Sequence, residues 1–491
     1  MNWTALTLAL FVVVASYLLV GVLQWWRRRR EGRPLPHWSW PLVGDALAVL
    51  IFLPPDRVWP DRFSRYGSRT RASLFGKEFW ATAEPEDAKR VFAAEGKDVQ
   101  GWLPSYLHEL EGKAITAIAG APHRVIRKAL FTLFTTPAMK SYFGTMKHFV
   151  EKHVKEWKET PGPLTMMPLL RGLAYEAVYG CMIDKETATN NDQVQLYEEW
   201  IAAFTSIPLH LPGGTLNKGL YAKEQLRRKV KALLEEAREG RTKDTPTKQP
   251  KSTVVLMLLR LAEEMEAAGG EEGVFFDDEF MIDNLLIFLL AGHETVLSTM
   301  CSLMKVLPEH PEVMRKAQEE VRNVVPDGEE LTFEHVQSLH YCTAVVKEVL
   351  RVHPPVVGGF REVLEPFALG PYTVPRGEII LVSYQGVHSR AFNDPEMFDP
   401  DRFYRESETY STKYKDDDRA CFASFAGGTR SCVGMKFAML EVVSLLAVIL
   451  KEKLVWELVP GQDLRLVRAG LSLKFNSGVI VNLLPEGKKA D

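Results

Sequence analysis

Neither sign of charge dominates this chain. Sixty basic residues against 63 acidic ones leave a formal net charge of −3, so no general basic field argues for a nucleic-acid partner. Cysteine is scarce as well. The five present (Cys181, Cys301, Cys342, Cys421 and Cys432) are scattered, odd in number and without CxxC or zinc-finger spacing. That argues against a disulfide framework and fits a reduced compartment, with at least one thiol free for another task. No G-x-G-x-x-G or Walker sequence occurs, so no nucleotide-binding module is visible. Internal repeats are absent, and no set of linkers divides the 491 residues into the roughly three domains that a length prior suggests. What is there is ordinary globular composition, 46% hydrophobic and 25% charged, in one domain large enough to bury a sizeable core.

The amino terminus is the exception to that composition. From Trp3 to Trp26 no residue is charged and most are apolar. As a helix these roughly 24 residues reach about 36 Å, enough to cross a hydrocarbon core. A cleaved signal peptide is the alternative, but no positive charge precedes the apolar run and no small-residue cleavage site is evident. Arg27 to Arg30 follow directly, and positive-inside logic leaves them and everything after them cytosolic. Residues 1–30 are therefore expected to be a transmembrane anchor with its stop-transfer. Pro34, Pro36 and Pro41 make 31–45 a stiff linker, and 46–491 the catalytic domain.

Helical patterning dominates the remainder. It predicts an amphipathic helix over 193–205, another over 222–239, and an apolar loop at 207–214 that is either a buried turn or a membrane-facing segment. Residues 240–251 and 267–273 read as exposed connectors. After Asp277 and Asp278, candidate N-caps, an unbroken helix of ~30 residues runs to about Leu307. Asp283, Asn284, His293 and Glu294 interrupt its apolar run, so it is expected to cross the domain interior rather than a membrane. Strand signals are few: 378–384, and a short pair within 473–484. The fold class is mainly α with small β-sheets.

The stretch with most chemical content is Phe425-Ala-Gly-Gly-Thr-Arg-Ser-Cys-Val-Gly434. An isolated cysteine is usually a small buried hydrophobe, the reading that applies to Cys181, Cys301 and Cys342. Cys432 differs in its neighbours. Gly427 and Gly428 would let backbone approach a sulfur and offer it N–H groups. Gly434 opens an apolar helix over 435–450 whose dipole favours a thiolate. Arg430 can pair with a carboxylate, and Phe425 can shield the site from water. Upstream, Glu348 and Arg351 lie three apart on one helical face, an arrangement that is by itself most often a surface ion pair worth little.

Phe-x-x-Gly-x-Arg-x-Cys-x-Gly is the haem-binding signature of the cytochrome P450 family, and residues 425–434 match all its fixed positions. Further resemblances follow in family order. Glu348 and Arg351 resemble its ExxR motif, and 398–403 its PERF segment with Asp401 in place of the usual glutamate. Ala291-Gly-His-Glu-Thr295 resembles the oxygen-activation motif. His123 and Arg127 resemble the W/H-x-x-x-R helix, and Arg361 stands where the family places another propionate-pairing arginine. Collinearity from about Pro36 to the C-terminus makes chance matches an inadequate explanation.

The resemblance implies the cytochrome P450 fold, one haem-enclosing domain, and haem b with the Cys432 thiolate on iron. Arg430, His123, Arg127 and Arg361 would face the cofactor with Phe425, Gly428 and Gly434. Arg402 would join Glu348 and Arg351 in a buried triad. Cleaving dioxygen requires proton delivery, which the motif assigns to Thr295 and Glu294, while Gly292 and Ala291 would leave room for the gas. The expected activity is insertion of one oxygen atom from O2 into a lipophilic molecule, with electrons from a separate NADPH-cytochrome P450 reductase on the same membrane, the endoplasmic reticulum. Segments 102–118, 203–211, 284–291, 356–360 and 469–473 are expected to line the pocket, and their apolar character fits such a substrate. Likeness to the branch oxidising sterols, brassinosteroids, abscisic acid and retinoids points to a sterol or terpenoid-derived one. Two rivals stand: a reductase-independent isomerase or dehydratase of lipid hydroperoxides, against which Thr295 and Glu294 count, and a non-enzymatic membrane haem protein.

Overall fold

The computed structural model describes residues 55–74, 77–183, 191–242, 253–267, 276–407, 421–469 and 472–487. The anchor and linker expected at 1–45, and nearly all of both polar connectors, lie outside them. Helices form most of the described mass. The longest, Asp278–Val306, has most of its side chains buried. Asp277 caps it, accepting from the Phe280 N–H at 2.8 Å, as an N-cap side chain does for an otherwise unpaired donor. This helix is apolar enough to span a membrane by composition, yet it is packed inside the protein.

Around it pack Met166–Ile183, Thr215–Thr242, His340–Val352 and Met435–Lys451. The helix expected over 222–239 begins earlier, at Thr215, because Leu216 and Ala222 extend its buried stripe. The helix Asn191–Ala203 packs antiparallel against it, and the apolar loop between them is not a buried turn: Ile207, Leu209 and Leu211 are 55–57% exposed.

Strands are short but more numerous than the pattern suggested. A five-stranded sheet joins Arg69–Leu74, Lys77–Thr82, Ile379–Ser383, Gly358–Val363 and Val99–Gly101, in that order across the sheet. Lys77–Thr82 runs parallel to Ile379–Ser383 although some 300 residues separate them in the chain. The pair expected within 473–484 requires correction. Ser472–Phe475 and Ile480–Pro485 both exist but do not pair with each other. The first pairs with Leu466–Ala469, and the second with Leu454–Leu458 and Leu164–Thr165. Gly478 and Val479, both at positive φ, turn the chain out of the first sheet into the second.

Candidate active site

The signature loop leads into the helix Met435–Lys451 and hangs one sulfur over a cavity. That cavity has a volume of about 350 Å³ and is walled chiefly by apolar side chains from the two long helices and the loop. All five cysteines are free, four of them buried, and Cys432 is exposed to this space. Its own N–H donates to the Phe425 carbonyl at 2.8 Å, closing the turn. Burial pushes the thiol pKa up, while the Gly434 N–H and the Arg127 guanidinium pull it back by favouring the thiolate.

The glycines do a different job from the one expected. Gly434, not Gly427 or Gly428, directs its N–H to the sulfur. A Cβ on Gly427 would strike the Phe92 ring, and one on Gly428, which sits at φ +63°, would overlap the Phe92 carbonyl oxygen. Both positions are small because the helix Pro85–Ala93 packs against the back of the loop. Gly292 is similar: its missing Cβ would meet Val178 at 3.1 Å, so it admits a neighbouring helix while also lining the cavity.

Behind the loop, Glu348, Arg351 and Arg402 form one fully buried cluster. Glu348 receives Arg351 through two contacts of 2.8 Å and Arg402 Nε at 3.2 Å. The remaining guanidinium N–H groups go to main-chain carbonyls, from Arg351 to Pro395 and Met397 and from Arg402 to Asn393 and Asp394. Asp401, the substituted position of that motif, faces Lys316 at 3.9 Å. His388 was not singled out by its sequence context. Its Nδ1–H donates to the Arg351 carbonyl and its Nε2 accepts from the Ala423 N–H, both at 2.9 Å, so it fastens the cluster to the loop. Burial lowers its pKa to about 3, and the ring is neutral.

One end of the cavity is cationic. His123, Arg127 and Arg430 line it. Arg127 donates to the Ser431 hydroxyl at 2.9 Å, and Arg430 to the Ile118 carbonyl at 2.5 Å. His123 is held neutral, its pKa lowered to about 3 by burial and by the surrounding guanidiniums, Arg430 foremost. It can therefore enter such a site as a hydrogen-bonding imidazole rather than a cation. Arg361 is buried just behind, on the strand Gly358–Val363, and is not part of the wall.

On the long helix the expected groups separate. Ala291, Gly292 and Thr295 face the cavity. Thr295 donates its hydroxyl proton to the Ala291 carbonyl at 2.7 Å, the backbone pairing usual for a helix-interior threonine, with its oxygen still accessible. Glu294 is a correction: it is absent from the wall. Its carboxylate is buried on the other side, 2.8 Å from Lys474 Nζ, 3.4 Å from Ser472 and 3.3 Å from His293. His293 and Lys474 hold its pKa down against burial, so it is an ionised partner rather than a poised acid. The wall also corrects the expected lining. Ile115, Thr116, Ile287, Phe288, Ala291 and Val356 are present, whereas none of the described residues of 203–211 and 469–473 is, and Val178, Cys181, Met182 and Val254 take their place.

A family model described as "Cytochrome P450" matches residues 34–475. The chain belongs to the cytochrome P450 family. Curated relatives of this P450 include a taxane 10-beta-hydroxylase of Taxus cuspidata, 27% identical over 89% of this chain and 87% of that one. A beta-amyrin 28-monooxygenase of Solanum lycopersicum is 26% identical, covering 92% and 94%, and cytochrome P450 26C1 of Mus musculus is 28% identical, covering 91% and 89%. Among solved structures, the retinoic acid-bound cyanobacterial CYP120A1 superposes with a TM-score of 0.79 at 25% identity, covering 92% of this chain and 99% of that one. The protein is thus a P450 monooxygenase, and the family's cofactor is haem with a cysteine thiolate on iron. The residues present fit that group. The mainly apolar cavity carries the Cys432 sulfur on its wall together with two guanidiniums, Arg127 and Arg430, and behind them the Arg361 Nε is buried without an aligned hydrogen bond.

Proposed function

We propose that this P450 inserts oxygen into a sterol- or terpenoid-derived lipophile, drawing electrons from an NADPH-cytochrome P450 reductase at the endoplasmic reticulum membrane. One observation carries the substrate class. The cavity is bounded chiefly by apolar side chains, among them Val178, Met182, Ile287, Phe288, Val296 and Val356, with Thr116, Thr295, Thr299, Tyr384, Ser424 and Ser431 as its hydroxyls. Such a wall rewards area contact and offers few polar anchors. Relatives named for taxane, beta-amyrin and retinoic acid chemistry support it.

Bound haem, ligated by Cys432, supplies the dioxygen-activating chemistry. The chain's own residues do the rest. Arg127, Arg430 and neutral His123 hold the propionate edge, Phe425 and the apolar wall exclude water, and the Gly434 N–H favours the anionic form of the sulfur. Thr295 presents a hydroxyl oxygen to the cavity and can release its proton once it turns from the Ala291 carbonyl. Glu294 acts at a distance, fastening the strand Ser472–Phe475 to the long helix. Residues 1–30 anchor the chain and 31–45 tether the domain. The exposed Ile207, Leu209 and Leu211 lie against lipid, where burial of apolar side chains is favourable.

Purified protein with reductase, NADPH and a panel of sterols and terpenoids tests this. Substrate-dependent NADPH use with hydroxylated product is expected. Turnover of a fatty-acid hydroperoxide without reductase, and none with it, would favour the isomerase rival. Cys432→Ala should abolish the reduced-CO spectrum of a haem thiolate, and Thr295→Ala should raise peroxide release per NADPH consumed. Removal of residues 1–30 should leave a haem-loaded soluble domain.

A further inference from the structure

Just after the helix Pro85–Ala93 lies Glu95, a residue that reads in the sequence as one more solvated charge. It is buried, with its side chain only 4% exposed. One carboxylate oxygen accepts from the Gly101 N–H at 2.9 Å and faces Arg430 Nε at 3.2 Å; the other lies 2.5 Å from Arg361 Nε. Gly101 pairs with Arg361 across the sheet. It must also be a glycine for a local reason, because a Cβ there would press on the Arg430 guanidinium at 2.8 Å. Glu95 therefore ties a sheet edge, the end of a helix and the signature loop together at the cationic end of the cavity.

We propose that Glu95 is a positioning residue for the haem, holding Arg430 on the cavity wall with Arg361 just behind it, and setting the net charge that the propionate edge encounters. Two guanidiniums this close repel each other, and in low-dielectric surroundings only an intervening anion keeps both in place. The charge count supports the pairing. Arg127, Arg361 and Arg430 contribute three positive charges, Glu95 removes one, and His123 is neutral. The remainder balances two ionised propionates.

The two conceivable roles of this carboxylate predict opposite signs. Were it a mere charge compensator, Glu95→Gln would leave a more positive site and hold haem more tightly. As a positioning residue its loss lets the guanidiniums splay, and haem leaves faster. In the full-length haem-loaded protein, Glu95→Gln is expected to lose haem to excess apo-globin about tenfold faster than wild type. The iron's reduction potential should move positive, because an anion near the macrocycle is gone. Glu95→Asp keeps the charge but falls short of both guanidiniums, so it should release haem at an intermediate rate with the wild-type potential. Unchanged or slower release from Glu95→Gln overturns the proposal. If that variant does not fold, Glu95→Asp decides alone: an intermediate rate supports the role, and a wild-type rate overturns it. Failure of the wild-type chain to bind haem would instead sink the family-level assignment on which this inference rests.

Discussion

Glu294 and Lys474 form an ion pair with both side chains about 3% exposed, its nitrogen and oxygen 2.8 Å apart, linking the middle of the long helix to the strand Ser472–Phe475. Ser298 on the same helix donates to the Leu473 carbonyl at 2.5 Å and reinforces the seam. A buried pair broken from one side leaves a bare charge. Lys474→Met should therefore cost about 3–5 kcal/mol, with His293 compensating only in part. Pairing it with Glu294→Gln should recover most of that loss. Urea unfolding of the four proteins in the cycle measures the coupling; strictly additive costs would mean that the pair contributes nothing.

The Glu348 cluster carries a similar expectation with a different readout. Glu348→Gln leaves Arg351 and Arg402 buried without their counter-charge, at about 3–5 kcal/mol. Because His388 connects Arg351 to Ala423, the loss should also show as a lower haem content per chain, read from the ratio of haem to protein absorbance.

Acid should act through that same imidazole. The pKa of His388 is about 3 in the fold against an ordinary 6.5. A depressed histidine contributes stability that is present above pH 6.5 and is lost as pH falls toward 3, on the order of 5 kcal/mol in all. His123 and His353, lowered to about 3 and about 4, act in the same direction. His388→Phe should be less stable at pH 7 by about 2–3 kcal/mol, with two backbone groups left unpaired. Its melting temperature should then fall less steeply between pH 6.5 and 4 than that of wild type.

Glu111 works in the opposite sense. Burial raises its pKa to about 7, resisted by the Thr116 hydroxyl and by Lys223. Its protonated form belongs to the fold, so the stability it permits is complete below pH 4.5 and is lost as pH rises through 7, by about 3 kcal/mol at most. Glu111→Gln should abolish that decline, giving a variant whose melting temperature exceeds wild type at pH 8 and approaches it at pH 5. Equal slopes from pH 5 to 8 would show that the carboxyl does not titrate in the fold.

How far the sequence could be read depended on the range of the interactions. The loop 425–434, the Glu348–Arg351 spacing and the long helix with its Asp277 cap were legible because local pattern and helix periodicity carry them. Glu95, His388 and Lys474 were not. Each acquires its partner from a segment distant in the chain, and nothing in its immediate neighbourhood distinguishes it from a surface residue. Glu294 failed for a related reason. A motif fixes that an acid sits next to Thr295, but adjacent positions on a helix point about 100° apart, and a lysine some 180 residues later decided where this one went. The strand pairings within 472–485 were misread because two positive-φ residues redirect the chain between sheets.

Phe92 gives the sulfur-bearing turn an outer bearing surface. Its ring and carbonyl occupy the volume that side chains at 427 and 428 would need, while elsewhere on its helix Asp87 is bolted to Arg69 of the first strand. A tilt of that helix would press on the turn from outside the reaction chamber. The rigidity of the turn that carries Cys432 is thus set in part from a face that does not line the pocket.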